Sequence, residues 1–420
     1  MFARLDRAAD ALYSWRHNPL YSSGTVAVAA FVVLLVTGLY LLLFYRIGAP
    51  WDSVARITGQ AWTGRWIRSL HRYASALAMV AVAVHAFRMY AQGRTWGPRA
   101  LAWLSGVLLL GALLVCGWTG YVMVWDEHAL LLAAEGARLL DVIPLFSEPI
   151  GRAFTGEAPM PAAFFFLNLF AHIALPVGVA LLLWVHVSRL ARTRLLPPRP
   201  LLWGTVLLFT GVSVLWPVAI APEADLLRIP GRVSLDLFYG FWLPLTRPLP
   251  APGVWVALLL GGGALAAVPL LTRPRSGAVP PRSVVVERSC TGCEQCYHDC
   301  PWEAIRMVPR SDGREGYVAR VDPARCVGCG ICAASCAPMG VGPAGLTGRD
   351  QIAGVQAFLR RHPPASEGVV LVACARGAGG VGAEPTFMDA PVLAVPCAGT
   401  VHTSVVEYLV RAGWGGVLVA

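Results

Sequence analysis

The sequence predicts a mainly α-helical protein: a polytopic membrane bundle of about six transmembrane helices, followed by a small α+β domain and a partial α/β domain. The chain of 420 residues is 56% hydrophobic and only 14% charged, with a mean hydropathy of +0.59. Its 11 cysteines are unevenly distributed, because all except Cys116 lie after residue 289. This composition places much of the chain in lipid and the thiols in a separate domain, in a reducing compartment.

Apolar runs of roughly membrane length predict the six spans. They lie at about 25–45, 66–90, 101–125, 163–187, 201–221 and 252–272, and proline or glycine interrupts the last two. The sequence therefore divides into a four-helix bundle, a further helix pair, a linker rich in Pro, Gly and Arg, a cysteine-rich domain and a C-terminal unit. Their ranges are 1–195, 196–273, 274–285, 286–345 and 350–420.

The distribution of charge predicts the orientation in the membrane. Arginine supplies all 34 basic residues, and it is concentrated in the segments on one side of the predicted spans, whereas the opposite loops mix both signs. The positive-inside rule then places both termini and the cysteine-rich domain in the cytoplasm of a bacterial or archaeal cell, with the spans in its inner membrane. The net charge of +10 is explained by this topology, so we expect lipid and no nucleic acid as a partner.

Two histidine pairs of identical spacing lie in the second and fourth apolar runs. His71 and His85 are 14 residues apart, as are His172 and His186. In an α-helix this spacing is about 21 Å along the axis and about 40° around it, so each helix carries an imidazole near each membrane face. A lone histidine in a span is more often a packed polar residue, but four at matched spacing predict the axial ligands of two haems b.

Glycine and arginine residues stand where such haems would need them. The first and third spans repeat glycine at the same interval of 14 residues, at Gly24, Gly38, Gly106 and Gly120. We expect these positions to let a flat macrocycle approach the helix backbone, the alternative being ordinary helix packing. Arg68 and Arg88 flank the first histidine pair and are candidates to bind haem propionates, the alternative being arginines that snorkel at helix ends.

The motifs around these histidines are RSLHRY, an H-x13-H followed by AFR, TGYVMVW, and HIALP before the second H-x13-H. Residues 1–190 therefore resemble cytochrome b of the bc and bf quinol-oxidising complexes, and residues 191–272 resemble its next part more weakly. The resemblance implies that His71 and His172 bind the outer haem, and that His85 and His186 bind the inner one. It also implies quinone or quinol as substrate, and a Rieske iron–sulfur protein or cytochrome c as partner. We also expect a homodimer.

The outer quinol site of that family carries a Pro-Glu-Trp-Tyr motif after the fifth span. Here the stretch LDLF at residues 235–238 stands in its place, which makes Asp236 a candidate proton acceptor. After TGYVMVW, Asp126, Glu127 and His128 form a second acid/base cluster at a point where the family has other chemistry. The alternative for both places is an ordinary loop residue that faces water.

Two cysteine runs in the C-terminal third predict iron–sulfur clusters. Each has the spacing C-x2-C-x2-C-x3-C, and Pro301 follows the first. In bacterial ferredoxins with two [4Fe–4S] clusters, the fourth cysteine of each run ligates the other cluster. Zinc is the alternative, which eight cysteines in this order disfavour. The expected ligand sets are Cys290, Cys293, Cys296 and Cys336 for one cube, and Cys326, Cys329, Cys332 and Cys300 for the other.

The C-terminal unit combines a helical stretch with the runs VVLVAC, APVLAVPC and GGVLVA, which are typical of parallel strands. From about residue 368 it resembles the delta subunit of methyl-viologen-reducing hydrogenase. The resemblance implies a heterodisulfide-reductase-like or flavin redox partner, and a [2Fe–2S] cluster if further cysteines complete the site. Only Cys374 and Cys397 are present here, and buried structural cysteines are the alternative. The chain ends on the last run, so we expect either a truncated fold or an artificial boundary.

Three functions fit these patterns. In the first, quinol is oxidised near the outer face of a bc-like complex, and electrons cross two haems towards the cytoplasmic clusters. In the second, a cytoplasmic ferredoxin-type donor reduces the clusters, and quinone is the final acceptor. In the third, the chain is a non-catalytic membrane anchor that relays electrons for partner subunits. The sequence has no CxxCH motif, and we expect covalent haem, like flavin and NAD, to belong to partners.

Overall fold

The computed structural model describes residues 8–9, 11–13, 17–144, 149–154, 159–188, 194–228, 233–234, 236–273, 281–374, 386–387 and 390–420. Residues 274–280 of the predicted linker and Leu235 of the LDLF stretch lie outside these ranges. The chain forms two compact units, of which the first comprises residues 1–189 and 193–272, and the second residues 190–192 and 273–420.

The first unit is helical. Its helices are α1 (Ser23–Phe44), α2 (Pro50–Gly59), α3 (Gly64–Ala91), α4 (Ala100–Val122), α5 (Glu127–Leu140), α6 (Ala162–Ser188), α7 (Arg199–Leu215) and α8 (Ala251–Leu271). Among the described residues, five helices are long and apolar enough to cross a membrane, namely α1, α3, α4, α6 and α8. The chain is therefore a multi-pass membrane protein.

Helix α7 differs from the prediction of a full span at 201–221. It has only 17 residues, because it ends at Leu215 and Pro217 follows closely. A proline disfavours the helical conformation of the residue before it, so the helix stops there. In the described part of the chain, five of the six predicted transmembrane helices are of membrane length, and the remaining one, α7, is a shorter apolar helix.

Two helix pairs form the centre of this unit. Helix α1 packs along α3, and α4 packs along α6, while α7 lies against α3 and α8 against α4. The amphipathic helix α5, which follows α4 in the chain, buries one apolar face that includes Leu130 and Leu132. Two backbone hydrogen bonds tie its start to the loop after α7: Glu127 N donates to Pro222 O over 3.0 Å, and Ala224 N donates to Trp125 O over 3.1 Å. This contact brings the loop that carries Asp236 close to the start of α5.

The cysteine-rich part of the second unit contains two small antiparallel sheets and two short helices. Strand β1 (Ser283–Val285) pairs with β4 (Val341–Pro343), and β2 (Ile305–Pro309) pairs with β3 (Tyr317–Val321). Helices α9 (Gln295–Asp299) and α10 (Ile331–Ser335) each contain the third cysteine of one run. Because β1 begins at Ser283, the end of the predicted linker is already part of this fold.

The remainder of the second unit is the predicted α/β fold. Helices α11 (Gly348–Arg361) and α12 (Thr403–Arg411) pack together beside a four-stranded sheet of order β6-β7-β5-β8. Its strands are β5 (Val369–Cys374), β6 (Thr386–Phe387), β7 (Ala390–Val395) and β8 (Gly416–Val419). Strand β5 is parallel to both β7 and β8, as the three apolar runs predict.

Candidate electron-transfer sites

The four histidines meet in two pairs across the bundle. The ring centroids of His71 and His172 are 6.5 Å apart, and those of His85 and His186 are 6.4 Å apart. A metal–imidazole bond is about 2 Å long, so two rings that share one ion have centroids about 6 Å apart. Both pairs therefore fit axial ligation of a haem iron, and each pair joins α3 to α6.

Hydroxyl groups fix the orientation of three of these imidazoles. Thr37 Oγ1 lies 2.9 Å from His71 Nδ1, Ser105 Oγ lies 3.0 Å from His186 Nδ1, and Thr119 Oγ1 lies 3.0 Å from His172 Nδ1. Each hydroxyl donates its own hydrogen to a carbonyl of its helix, so it accepts from Nδ1–H. The proton is thus held on Nδ1, and the lone pair of Nε2 is left for a metal.

The four repeated glycines lie directly against the imidazoles. A β carbon would stand 2.9 Å from His85 Nδ1 if built at Gly24, and 2.9 Å from His172 Cε1 if built at Gly120. Gly38 and Gly106 are close in the same way to the other two rings, at 3.3 Å and 3.5 Å. The space left by each glycine is therefore occupied by a histidine edge, and the close approach of a macrocycle stays a prediction.

The residue before each glycine is a further candidate site residue, which the spacing of the histidines and glycines did not indicate. Ser23, Thr37, Ser105 and Thr119 immediately precede the four glycines, so a Ser/Thr-Gly pair recurs at the interval of the histidines. Three of these hydroxyls bind an imidazole as described, and Ser23 Oγ is buried with no hydrogen-bond partner among the described residues. A search for hydroxyl residues at the glycine period would have found all four.

The predicted first set of thiols lines one cavity. Cys290, Cys293, Cys296 and Cys336 line this cavity, together with apolar side chains such as Val285 and Met307. Burial, and then the neighbouring thiols, raise the pKa of Cys296 to about 12. Among the described residues, no three His, Cys, Asp or Glu side chains stand close enough to hold a single metal ion. The four thiols are therefore gathered around one cavity, and their ligation of a single cube stays a prediction.

The second set is also assembled. Burial raises the pKa of Cys332 to about 11, and the neighbouring thiols of Cys329, Cys326 and Cys300 also raise this pKa. Ser283 approaches this set, with its amide 3.4 Å from Cys326 Sγ and its hydroxyl 3.2 Å from Cys332 Sγ. Hydrogen bonds to cluster sulfurs raise the reduction potential, so Ser283 is a further functional residue that the cysteine spacing did not reveal.

A group of polar residues, here termed the Arg72 cluster, lies beside the His71–His172 pair. Its members are Arg72, Tyr121, His128, Asp236 and Tyr239. Asp236 forms an ion pair with Arg72, and its Oδ2 accepts from the Tyr121 hydroxyl at 2.6 Å. Its Oδ1 accepts from the backbone amides of Phe238 at 2.8 Å and Tyr239 at 2.7 Å. Burial works to raise the pKa of Asp236, but these hydrogen bonds and Arg72 together lower it.

The three residues after TGYVMVW separate into different environments. Asp126 Oδ1 accepts from the amide of Ala129 at 2.9 Å and caps helix α5. The side chain of Glu127 is exposed. The His128 ring lies 5.4 Å from the Tyr121 ring, and burial lowers its pKa although Asp126 and Asp236 act against this. The structure therefore places His128 and Asp236 around Tyr121, and leaves Glu127 outside the cluster.

Two protein-family models match the chain. The model for cytochrome b/b6/petB covers residues 9–194, and the model for a 4Fe-4S dicluster domain covers residues 289–340. The chain therefore contains a cytochrome b/b6 domain, followed by a 4Fe–4S dicluster domain. A cytochrome b domain implies haem, and the dicluster domain implies 4Fe–4S clusters, so the chain is an electron-transfer component.

Curated relatives and a solved structure resemble the cytochrome b. The menaquinol:cytochrome c reductase cytochrome b subunit of Geobacillus thermodenitrificans is 27% identical over 180 residues, which is 41% of this chain and 79% of that protein. The subunit with the same description from Bacillus subtilis (strain 168) is 27% identical over 154 residues, or 36% and 69%. A structure described as "Hyperthermophilic respiratory Complex III" aligns with a TM-score of 0.49 and 17% identity, covering 64% of this chain and 81% of that one.

These findings confirm the predicted cytochrome b and ferredoxin resemblances and the mainly helical fold. They do not show the resemblance of the C-terminal unit to the hydrogenase delta subunit, which stays a prediction. Cys374 and Cys397 lie near the carboxyl ends of the adjacent strands β5 and β7, and Cys374 Sγ is 3.6 Å from Pro396 O. A [2Fe–2S] cluster bound by Cys374 and Cys397 likewise stays a prediction.

The two candidate propionate ligands are bound within the cytochrome b itself. Arg68 Nη1 donates to Val218 O over 2.7 Å, and the Arg88 guanidinium lies 4.2 Å from the centre of the Tyr21 ring. Their role towards propionates stays a prediction. Arg99 is a further cation near this site and acts electrostatically on His85. Burial, and then the neighbouring Arg94, lower the pKa of Arg99 to about 10. An anionic group beside it would relieve this concentration of positive charge.

Proposed function

We propose that this cytochrome b passes electrons between membrane quinone and cytoplasmic [4Fe–4S] clusters through two haems b, as the quinol/quinone oxidoreductase subunit of a bc-like complex. The observation that carries the proposal is that one chain holds two imidazole pairs at ligation distance and two groups of four thiols. When bound, haem and iron–sulfur groups supply one-electron transfer.

The histidines are proposed to act as the ligands of two haems. His71 and His172 would hold the haem near the outer face, and His85 and His186 the haem near the inner face. Thr37, Ser105 and Thr119 support this role, because they fix the Nδ1–H tautomer of three of the rings. Two sites on the same helix pair give a path for electrons across the membrane.

The cysteines are proposed to hold two cubes in the crossed arrangement. Cys336 belongs with the first run because it lines the same cavity as Cys290, Cys293 and Cys296. Cys300 belongs with the second run because it acts electrostatically on Cys332. The fourth cysteine of each run thus crosses to the other set, which brings the two cubes together in a domain of about 60 residues.

The substrate is proposed to be a quinol or quinone, since both curated relatives carry menaquinol in their names. The Arg72 cluster is the proposed outer quinol site, because Arg72 follows the haem ligand His71 directly in the chain. The proposed partners are a Rieske protein or cytochrome c outside and a heterodisulfide-reductase-like or flavin protein inside. We propose a homodimer in the bacterial or archaeal inner membrane, with both termini and the 4Fe–4S domain in the cytoplasm.

One observation favours the reverse direction, in which a ferredoxin-type donor reduces quinone. Asp236 stands where the family has its glutamate, but its carboxylate is bound by Arg72 and Tyr121 and its pKa is lowered. A carboxylate with a low pKa is a poor proton acceptor at neutral pH. Quinone reduction through the inner haem needs no proton acceptor in the Arg72 cluster.

Rapid-freeze EPR combined with optical spectra distinguishes the two directions. The complex is purified with its native partners and mixed with quinol and a high-potential oxidant. Reduction of haem b followed by the cubic clusters supports quinol oxidation with electrons moving inwards. If the clusters stay oxidised with quinol, but quinone oxidises chemically reduced clusters through the haems, the chain is a quinone reductase. If neither exchange occurs, the oxidoreductase proposal is wrong.

A further inference from the structure

One nitrogen of the Arg72 cluster is buried without a hydrogen bond. His128 Nε2 has no hydrogen-bond partner among the residues that the structure describes. A buried polar atom in this state costs free energy unless a further molecule satisfies it. We propose that His128 Nε2 receives the hydrogen bond, and then the proton, of a hydroquinone hydroxyl. This inference rests on the proposed function and names the proton acceptor of its outer site.

Asp236 is not available for this role. Four groups donate to its two oxygens: the Arg72 guanidinium, the Tyr121 hydroxyl, and the amides of Phe238 and Tyr239. Its side chain is only 7% exposed. A proton on this carboxyl would break the ion pair and displace at least one of these donors. Asp236 therefore acts as the counter-ion that positions Arg72 and Tyr121.

The other two candidates are excluded by their surroundings. Asp126 Oδ1 caps helix α5 through the amide of Ala129, and its Oδ2 is 3.4 Å from the amide of Ala221. Both oxygens of Asp126 therefore face backbone donors within the protein. Glu127 is exposed, so water satisfies it and it has no special position towards a buried substrate. Only His128 combines burial with an unused acceptor.

The charges around His128 suit a proton acceptor. Burial favours the neutral ring, and Arg72 adds to this effect, whereas Asp126 and Asp236 favour the cation. His128 is the second residue of helix α5, where the positive end of the helix also disfavours a charged ring. The ring is therefore neutral at pH 7 and can accept a proton, and the nearby carboxylates stabilise the imidazolium once it forms.

The proposed step is a proton transfer alone. The O–H bond of the hydroquinone breaks, its electron pair stays on the oxygen, and a new N–H bond forms at His128 Nε2. The products are a hydroquinone monoanion and an imidazolium, so charge and atoms balance. The anion is the better electron donor, which is why the step would precede electron transfer. The imidazolium then loses its proton to water, and the neutral ring is restored.

Two substitutions of equal size test the proposal, His128→Gln and His128→Glu. Both side chains present an oxygen that accepts a hydrogen bond, but only the glutamate carboxylate is a base, and burial at this position raises its pKa towards neutrality. The complex with its native partners is mixed with quinol and ferricyanide, and haem reduction is followed by stopped-flow absorbance between pH 5 and 8. We expect His128→Gln to slow haem reduction by about 100-fold or more, the range that general-base groups contribute. We expect His128→Glu to recover most of that rate.

The pH profile separates catalysis from a structural role. In the unaltered complex the rate should fall in acid, at a pH below the ordinary imidazole pKa of about 6.5, because His128 becomes protonated there; in His128→Gln this fall should be absent. Equal rates in the Gln and Glu variants, or an unaltered rate and profile in His128→Gln, overturn the proposal. Glu223→Gln, at an exposed position in the neighbouring loop, is the matched control and should behave as the unaltered complex. If quinol fails to reduce haem in the unaltered complex, the proposed outer quinol site is wrong, and only the quinone-reductase direction of the proposed function is left.

Discussion

His402 Nε2 lies 3.1 Å from the backbone carbonyl of Cys336 and donates a hydrogen bond to it. The Nε2 atom carries the ring hydrogen, because Nδ1 accepts from the amide of Ser404 at 3.1 Å. His402 is only 2% exposed and caps helix α12. The C-terminal α/β fold is thereby joined to the cysteine that completes the first predicted cube.

We predict that His402→Ala lowers the reduction potential of one cube and leaves the haems unchanged. The substitution removes one of two donors to the Cys336 carbonyl, the other being the amide of Met339 at 2.8 Å, and so makes the surroundings of the thiolate more negative. EPR-monitored redox titration measures the potential, and Glu407→Gln on the exposed side of α12 is the control. Two unchanged cluster potentials would show that the hydrogen bond has no electronic role.

Thr37→Val should weaken one haem site selectively. The valine has nearly the same shape but cannot accept from His71 Nδ1, so the tautomer and ring orientation are no longer fixed. Loss of such a partner typically costs about 10–100-fold in metal affinity or activity. Haem content and optical redox titration measure the effect. Thr25→Val on the same helix removes only a hydroxyl bond to Ser22 O and should be neutral; an equal effect of both variants would contradict the assignment.

Gly120→Ala should remove one haem, and Gly111→Ala on the same helix should not. The new β carbon at position 120 would lie 2.9 Å from His172 Cε1, which forces the ring out of its place. At position 111 nothing lies within 4 Å of the corresponding point. Haem per polypeptide, from the pyridine haemochrome spectrum, distinguishes the two variants. Normal haem content in Gly120→Ala would mean that the ring has room to move.

Asp236→Asn should destabilise the membrane unit at neutral pH, and the effect should disappear in acid. The pKa of Asp236 is lower in the folded protein than the usual value of about 3.9, so its stabilisation is complete above about pH 4. It is lost as the pH falls through the folded value. We expect a loss of about 1–3 kcal/mol from pH 8 to 5. Thermal release of haem, followed optically at several pH values, measures it, and a constant difference down to pH 3 would contradict the ion pair.

The sequence predicted the elements well where one residue type recurs at a fixed interval. Five of the predicted spans match helices to within a few residues, as for the run 163–187 and helix α6 (Ala162–Ser188). The histidine pairs also meet as predicted. Two histidines 14 residues apart on one helix can face two histidines of the same spacing on a neighbouring helix, one pair at each of two depths in the membrane. The spacing of 14 residues carries this information by itself.

Side-chain partners that are distant in the chain could not be predicted in this way. Arg72 and Asp236 are 164 positions apart, and no periodicity connects them. The sequence therefore indicated a carboxylate at the position of a proton acceptor, without showing that an arginine neutralises it. In the same way, the sequence offered residues 126–128 as three equivalent candidates for a proton acceptor. The fold distinguishes them, because Asp126 caps a helix, Glu127 is exposed and His128 is half-buried.

Since each imidazole pair unites α3 with α6, neither haem site exists in half of the bundle. During synthesis His172 follows His71 by 101 residues, which is about 5–20 s at about 5–20 residues per second. For that interval α1 and α3 lie in the membrane with two unpartnered ligands, and the insertion of α6 completes both sites at once. We therefore expect that a chain that stalls before α6 cannot retain haem.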